Sequence, residues 1–233
     1  MQPAETKRPL HFLHIRKTAG TAIKYALEQH AAAGSYSIQL HPHRTRLKHV
    51  PVGEQVFFFL RDPVSRFVSG FYSRQRQGQP RYCSPWKDGE EAAFQEFLTP
   101  NELACALSSR DRSKTARARA AMNTIRHIRD SYWKWFHSDR YFRSRFGDVF
   151  FVGRQERLAD DFEILKRRLR LPADLRLPDD RVYAHQSDKS VDRTLDKAAG
   201  RNLKDWYRDD YRFIALCEEL IERQAQASLK RAG

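Results

Sequence analysis

The chain has 233 residues, of which 40% are hydrophobic and 31% are charged. This composition is enough to form a hydrophobic core, so it excludes a wholly disordered protein, and the length fits one domain. A net charge of +14 at pH 7 favours an anionic partner, such as nucleic acid, a phosphorylated cofactor, an acidic glycan or a membrane surface.

The first elements along the chain are a polar segment, a strand and a helix. Residues 1–9 do not resemble a secretory signal, so a cytoplasmic protein is expected. The apolar run Leu10–Ile15 predicts a buried strand, and Thr21–Gln29 predicts a helix that follows Gly20. A second strand is predicted over Ser35–Leu40.

The clearest strand is Val56–Leu60, which is continuously apolar, as is typical of a strand that is covered on both faces. Asp62 and Pro63 stop this strand and predict the N-cap and the first turn of a helix that runs to about Gln75. Residues 78–90 are rich in turn formers and predict a loop.

Helical patterns dominate the middle of the chain, beginning with two short helices near 91–98 and 100–108. From Lys114 to Phe136, apolar residues recur at spacings of three and four, which predicts one long amphipathic helix. We interpret its arginines as a solvated face in preference to a nucleic-acid-binding surface.

The last third of the chain adds a strand at 148–153, a helix from about Glu156, an irregular segment at Pro172–Asp188 and a final helix at Asp209–Gln226. Strands therefore alternate with helices along the chain. This order predicts an α/β fold, in which helices flank both faces of a parallel sheet and further helices lie in the middle and at the C-terminus.

The segment 16–21, RKTAGT, lies where the first predicted strand gives way to a helix. Backbone N–H groups and the helix macrodipole attract anions at such a junction. Gly20 permits close approach of the backbone, Lys17 supplies a positive charge, and Thr18 and Thr21 supply hydroxyl donors. The lysine precedes the glycine, so this is not a Walker A motif, and a magnesium-dependent NTPase is poorly supported. A corner with incidental polar residues is the alternative.

A second polar strand end follows, where Arg61 ends one predicted strand and Ser69 lies two turns into the next helix. Each pattern alone is weak. Together, FLHIRKTAGT and FFFLRDPVSRFVSGFY resemble the sulfotransferases that use 3′-phosphoadenosine 5′-phosphosulfate (PAPS). They are most similar to the carbohydrate branch, which includes the heparan sulfate 2-O-sulfotransferase type. The resemblance implies a P-loop-like sheet and a single sulfotransferase-like domain over 1–233, with 78–147 as a helical insertion on the acceptor side.

In that family the first motif wraps the 5′-phosphosulfate and the second binds the 3′-phosphate through its arginine and serine. A late segment, HQSDKS, is more weakly similar to a family loop near the nucleotide. Arg16 departs from the family, which usually has proline there, and it adds a charge to the loop. The predicted cofactor-binding residues are Arg16, which departs from the family, and those that the resemblance implies, namely Lys17, Thr18, Ala19, Gly20, Thr21, Arg61, Ser69, Ser187 and Lys189.

Sulfuryl transfer needs a stabilised leaving phosphate and a base for the acceptor hydroxyl. Lys17 and the loop amides suit the first task. For the second, His41 and His43 follow a predicted strand, and the family branch has a similar H-x-H segment that includes its base. We predict His43 as the base, with His41 as the second choice. An exposed loop pair and a metal-binding pair are the alternatives, but two histidines without a third ligand make a weak metal site, so no metal is expected.

The acceptor is expected to be a hydroxyl of a carbohydrate or glycolipid, including acidic ones. The competing hypotheses are an atypical nucleotide-dependent kinase or transferase, a basic nucleic-acid-binding protein, and an inactive sulfotransferase-like protein. The leading interpretation expects no nucleic-acid partner and no membrane span, and it leaves peripheral membrane contact open. Two clusters of cations suit either an acidic sugar or general electrostatics, namely Arg44, Arg46 and Lys48, and Arg74, Arg76 and Arg81. Tyr82 and Trp86 suit either stacking on a sugar ring or anchoring of the 78–90 loop to the core.

Overall fold

The structure, a computed structural model, describes residues 7–30, 32–80, 82–87, 89–178 and 191–232. It divides into two compact units, each treated by itself below. The first unit comprises 1–61, 132–185 and 212–233, and the second comprises 62–131 and 186–211. The prediction of a single domain over the whole chain stays a prediction.

The first unit is built on a five-stranded sheet. In chain order its strands are β1 (Arg8–Phe12), β2 (Ala32–Ala33), β3 (Tyr36–Leu40), β4 (Gln55–Leu60) and β5 (Val149–Arg154). Their spatial order is β2-β3-β1-β4-β5, and every pair is parallel except β2 with β3. This mostly parallel sheet confirms the predicted α/β fold.

Helices occupy the segments between and after these strands. In the described part of the chain, none of them combines the length and apolarity that crossing a bilayer requires. The α-helices are α1 (Gly20–Leu27), α2 (Pro63–Gln75), α3 (Glu90–Glu96), α4 (Pro100–Ala106), α5 (Arg112–Thr124), α6 (Trp133–Phe136), α7 (Asp139–Ser144), α8 (Leu158–Leu169), α9 (Lys197–Trp206) and α10 (Arg208–Ala232).

Both faces of the sheet are covered because side chains alternate along each strand. Phe57 and Phe59 of β4 pack with α1 and α8 on one face. Val56, Phe58 and Leu60 of the same strand pack on the other face with α6, α7 and α10. Each of these side chains is fully buried, which stabilises the unit by roughly 1.5–3 kcal/mol per side chain. The uninterrupted apolar run of β4 is thus explained.

The second unit is helical, and α2 to α5 share one apolar core with α9. Asp62 caps α2 as predicted, since its Oδ1 accepts a hydrogen bond of 2.8 Å from the backbone N–H of Ser65, and Pro63 occupies the first turn. The sequence pattern does not predict α9, whose Ala199 and Leu203 are buried in this core. It also does not predict β2 and α7 of the first unit.

The long helix predicted from Lys114 to Phe136 is wrong. Helix α5 ends at Thr124, and Ile125 adopts extended backbone with φ −64° and ψ 114°. The backbone N–H of Arg126 then donates to Oε1 of Glu90 at 2.9 Å instead of to a helical carbonyl. The apolar spacing continues past the break because the buried turns that follow also need apolar residues.

Arg74, one of the cations that the sequence offers for an acidic sugar, is buried and paired instead. Its side chain is 1% exposed, and its guanidinium donates to both carboxylate oxygens of Glu90 at 2.6 and 2.9 Å. It also donates to the backbone carbonyls of Ser84 and Pro85, while the indole N–H of Trp86 donates to the carbonyl of Arg74 at 2.9 Å. Both side chains therefore anchor the 78–90 loop to the core of the second unit.

Candidate active site

The segment between β1 and α1 turns sharply. Lys17 and Ala19 adopt left-handed backbone with φ of 66° and 63°, a conformation that costs energy for L-residues and clusters at functional sites. The hydroxyl of Thr18 donates to the carbonyl oxygen of Ile15 at 3.1 Å and holds the turn closed. The hydroxyl hydrogen of Thr18 is thus used within the loop, and its contact with a cofactor stays a prediction.

Helix α1 begins at Gly20 without a side-chain cap, since Ala19 occupies the N-cap position. The N–H groups in the first turn of an α-helix have no partner within the helix. Those of Gly20, Thr21 and Ala22 are therefore donors at the positive end of the helix macrodipole. Donors of this kind attract anions, and the anion site that the sequence predicts at this junction stays a prediction.

Gly20 lies against the imidazole of His14. A Cβ at this position would stand 2.1 Å from Cδ2 and 2.4 Å from Nε2 of His14. The His14 side chain cannot yield easily, because it is buried between Phe12 and His43, with ring centroids 5.7 and 3.8 Å away. The glycine is thus required by close packing at the start of α1.

We expect Gly20→Ala to lower the free energy of unfolding by about 1–3 kcal/mol, because the methyl group fits only if His14 moves. Thermal unfolding measures the loss. The matched control is Gly200→Ala in α9, where a Cβ meets no atom within 4 Å, and where alanine stabilises a helix by up to about 1 kcal/mol. Equal destabilisation of the two variants would show that the His14 contact is not the cause.

Arg61 follows β4 and is clamped by Tyr132. Its backbone N–H donates to the Tyr132 hydroxyl at 2.9 Å, and that hydroxyl donates to the Arg61 carbonyl at 2.5 Å. The guanidinium Nη1 lies 3.5 Å from the carbonyl oxygen of Lys17. The structure thus places the Arg61 guanidinium against the backbone of the turn that carries Lys17, and the cofactor contacts of both side chains stay predictions.

The remaining predicted cofactor ligands are placed differently. Ser69 lies on α2 in the second unit and is 9% exposed. Ser187 and Lys189 lie outside the described residues, as does Arg81 of the predicted acceptor cluster. The cofactor contacts of Ser69, Ser187 and Lys189 stay predictions from the motifs.

His43 lies beyond β3 and is held from two sides. Its Nδ1 is 3.0 Å from the carbonyl oxygen of His14. A carbonyl only accepts, so Nδ1 carries the hydrogen and Nε2 of the neutral ring keeps its lone pair. The buried Trp135 donates its indole N–H to the His43 carbonyl at 2.9 Å. The ring is thus fixed with one accepting nitrogen, as a general base requires.

Burial lowers the pKa of His43 to about 4. The nearby charges of Arg16, Lys24 and Lys17 act in the same direction, and the hydrogen bond to His14 opposes them. The imidazole is therefore neutral at pH 7 and can accept a proton. The same three cations lie close to the site where the sequence predicts an anion.

His41 has different partners. Its Nε2 is 2.8 Å from Nδ1 of His11, and Nε2 of His11 is 2.6 Å from Oε2 of Glu54. Burial lowers the pKa of His41, and the nearby His11 and Lys24 lower it further. Among the residues described, no group of three or more His, Cys, Asp and Glu side chains is arranged to hold a metal ion.

Three supporting residues were missed by reasoning from the sequence, namely Glu54, Tyr132 and Trp135. Glu54 reaches β1 because β4 is its parallel neighbour, with Gln55 opposite Leu10. The sequence indicates the contact between Glu54 and His11 only through the register in which the two predicted strands pair. The tyrosine and tryptophan lie 71 and 92 residues from their partners, and no local pattern connects them.

A comparison with known protein families places most of the chain. The model of the sulfotransferase family matches residues 4–214, which include both motif segments and every described residue of the candidate site. No curated protein matches the chain. The chain belongs to the sulfotransferase family.

Proposed function

We propose that this sulfotransferase moves a sulfuryl group from PAPS to a hydroxyl of a carbohydrate or glycolipid, with His43 as general base. The observation that carries the proposal is the junction at the start of α1, where the helix has no side-chain cap and the Arg61 guanidinium lies 3.5 Å from the backbone carbonyl of Lys17 in the preceding turn. Backbone amides, a lysine and an arginine suit the oxygens of phosphate and sulfate groups. The donor set therefore fits PAPS.

Each end of the cofactor has its own residues in this proposal. PAPS supplies the sulfuryl group, and its 5′-phosphate is the leaving group. Lys17 and the first-turn N–H groups of α1 stabilise the negative charge that grows on that phosphate. Arg61, with Ser69 from the second motif, holds the 3′-phosphate and so orients the nucleotide.

His43 accepts the proton of the acceptor hydroxyl on Nε2 in this proposal. The hydrogen bond from Nδ1 to the His14 carbonyl persists while the ring becomes an imidazolium. In the free enzyme, Arg16, Lys17 and Lys24 oppose that positive charge. Their effect is weaker once they hold an anion, so the imidazole becomes a stronger base in the loaded site.

The segment after His43 supports an acceptor that includes acidic sugars. Arg44, Arg46 and Lys48 are exposed, whereas Leu47 between them is buried and fixes the segment to the core of the first unit. Exposed cations beside a base can bind carboxylate or sulfate groups of a glycan. The expectation for Arg74 is not part of this proposal, because that side chain is buried.

The proposal is tested by calorimetric titration with 3′-phosphoadenosine 5′-phosphate and, separately, with ATP and magnesium. We expect the bisphosphate to bind the wild type, and Arg61→Ala to weaken it by roughly 10–100-fold, because charge-assisted hydrogen bonds are lost. Arg112→Ala removes an exposed arginine of the second unit and should bind as the wild type does. Absence of bisphosphate binding, or preference for ATP with magnesium, would overturn the proposal and favour a kinase-like transferase.

A further inference from the structure

Glu54, His11 and His41 form a hydrogen-bonded chain of side chains that joins the sheet to the segment of the proposed base. The His11 side chain is 4% exposed and that of Glu54 is 33% exposed. The two imidazole planes differ by 3°, and their centroids are 5.1 Å apart. This separation is wider than the ~3.5–4.0 Å of atoms in face-to-face contact, so the rings meet edge to edge through their nitrogens.

The carboxylate sets the direction of each hydrogen bond in this chain. An ionised carboxylate only accepts, so Nε2 of His11 carries a hydrogen. Nδ1 of the neutral His11 ring is then an acceptor, and Nε2 of His41 must donate to it. The lone pair of neutral His41 is thereby placed on Nδ1, whereas His43 keeps its lone pair on Nε2.

We propose that Glu54 is a positioning residue, which acts through His11 to hold His41 in one orientation and one tautomer, with Nδ1 as its proton-accepting nitrogen. The inference rests on the proposed function, because it gives a role to the segment that supplies the base. It extends that function from a single histidine to two, which present opposite ring nitrogens.

The two histidines differ in the charges that surround them. A proton on His43 meets Arg16, Lys17 and Lys24. A proton on His41 is opposed by burial, by His11 and by Lys24 of α1, and the Glu54 carboxylate lies on the far side of the His11 ring. The hydrogen bonds thus connect His41, through His11, to a carboxylate, whereas His43 is held by a backbone carbonyl.

The test reads the tautomers directly in the full chain with ¹⁵N-labelled histidine. Long-range ¹H–¹⁵N correlation spectra show which ring nitrogen carries hydrogen, and a pH series gives the titration midpoints. We expect hydrogen on Nε2 of His41 and on Nδ1 of His43 in the wild type. In Glu54→Gln, we expect mixed tautomers of His41, because the amide can donate as well as accept, and a lower titration midpoint of His41, because the negative charge is gone.

The controls separate positioning from a general structural effect. Glu54→Asp keeps the charge and should return the midpoint towards the wild-type value, and Glu222→Gln removes an exposed carboxylate of α10 and should change neither reading. His43 should keep its tautomer in Glu54→Gln, because its partner is a backbone carbonyl.

The wild-type spectrum alone can overturn the inference, if hydrogen is found on Nδ1 of His41 at neutral pH. Unchanged tautomers and midpoints in a folded Glu54→Gln would overturn it as well. Bisphosphate titration of the same samples tests the proposed function independently. A wild type with the expected tautomers but no bisphosphate binding would overturn the function and leave the arrangement of Glu54, His11 and His41 in place.

Discussion

His43→Asn should retain the affinity of the wild type for 3′-phosphoadenosine 5′-phosphate and lose sulfuryl transfer by a factor of about 10²–10⁴, the usual contribution of a general base. The asparagine amide can take the place of the Nδ1–H group and donate to the His14 carbonyl, which keeps the segment fixed. No group in this variant replaces Nε2, the proposed acceptor of the proton from the hydroxyl. Transfer from radiolabelled PAPS to a panel of carbohydrate acceptors measures the loss.

The matched control is His137→Asn, which makes the same substitution at an exposed histidine that follows α6 and lies outside the candidate site. Its transfer rate should equal that of the wild type. Retention of full activity by His43→Asn would remove His43 from the role of base and leave His41 as the candidate.

The pH dependence of transfer follows from the same environment. Because the pKa of His43 in the free enzyme is about 4, kcat/KM should fall only when the pH drops towards 4. In Lys24→Gln this acid limb should move to higher pH, since loss of a positive charge favours the imidazolium. An acid limb that stays fixed in Lys24→Gln would contradict the electrostatic account.

The largest effect on stability is expected for Glu90→Ala in α3, which should lower the free energy of unfolding by about 3–5 kcal/mol. The side chains of Glu90 and Arg74 are 0% and 1% exposed, so the substitution leaves the Arg74 guanidinium buried without its counter-charge. It also removes the acceptor for the N–H groups of Lys87 and Arg126. Chemical denaturation measures the difference.

The control lies on the same helix. Glu96 pairs with Arg117 at 2.6 Å, but the two side chains are 29% and 50% exposed, and pairs of this kind contribute about 0–1 kcal/mol. Glu96→Ala should therefore be nearly neutral. If Glu90→Ala and Glu96→Ala lowered the free energy of unfolding by similar amounts, the stability of the fold would not depend on the buried pair of Glu90 and Arg74.

The contribution of Glu90 should also depend on pH. Burial alone would raise the pKa of this carboxyl, but hydrogen bonds from Arg74 and from the backbone of Arg126 and Lys87 lower it to about 2, below its ordinary value of 4.5. Because its pKa is lower in the folded state, the ionised carboxylate stabilises the protein fully above about pH 4.5, and this stabilisation is lost as the pH falls towards 2. The difference in the free energy of unfolding between wild type and Glu90→Ala, measured by chemical denaturation, should therefore decrease as the pH falls over that range.

Local patterns were enough to predict the elements whose causes are local. The apolar run Val56–Leu60 became β4, and Asp62 capped α2, because each depends on residues that are adjacent in sequence. The end of α5 at Thr124 depends instead on a carboxylate that is 36 residues from Arg126. No helical periodicity contains that information.

The same distinction applies to the candidate site. The loop around Lys17 and the arginine at the end of β4 were predictable from short motifs and from their resemblance to a family. Glu54, Tyr132 and Trp135 support that site through strand register and tertiary packing, which a single sequence does not encode in any short pattern.

The order of the chain has a consequence for its synthesis. One face of β4, with Phe58 at its centre, packs against Phe213 of the last helix, whose ring centroid lies 6.4 Å away. Translation proceeds at about 5–20 residues per second, so this apolar face leaves the ribosome on the order of ten seconds before Phe213 of α10 does. Helices α6 and α7 emerge earlier and cover part of this face, since the Phe136 ring lies 4.5 Å from that of Phe58. The rest of the face stays exposed until α10 has emerged, and exposed apolar surface of this kind favours aggregation of a nascent chain.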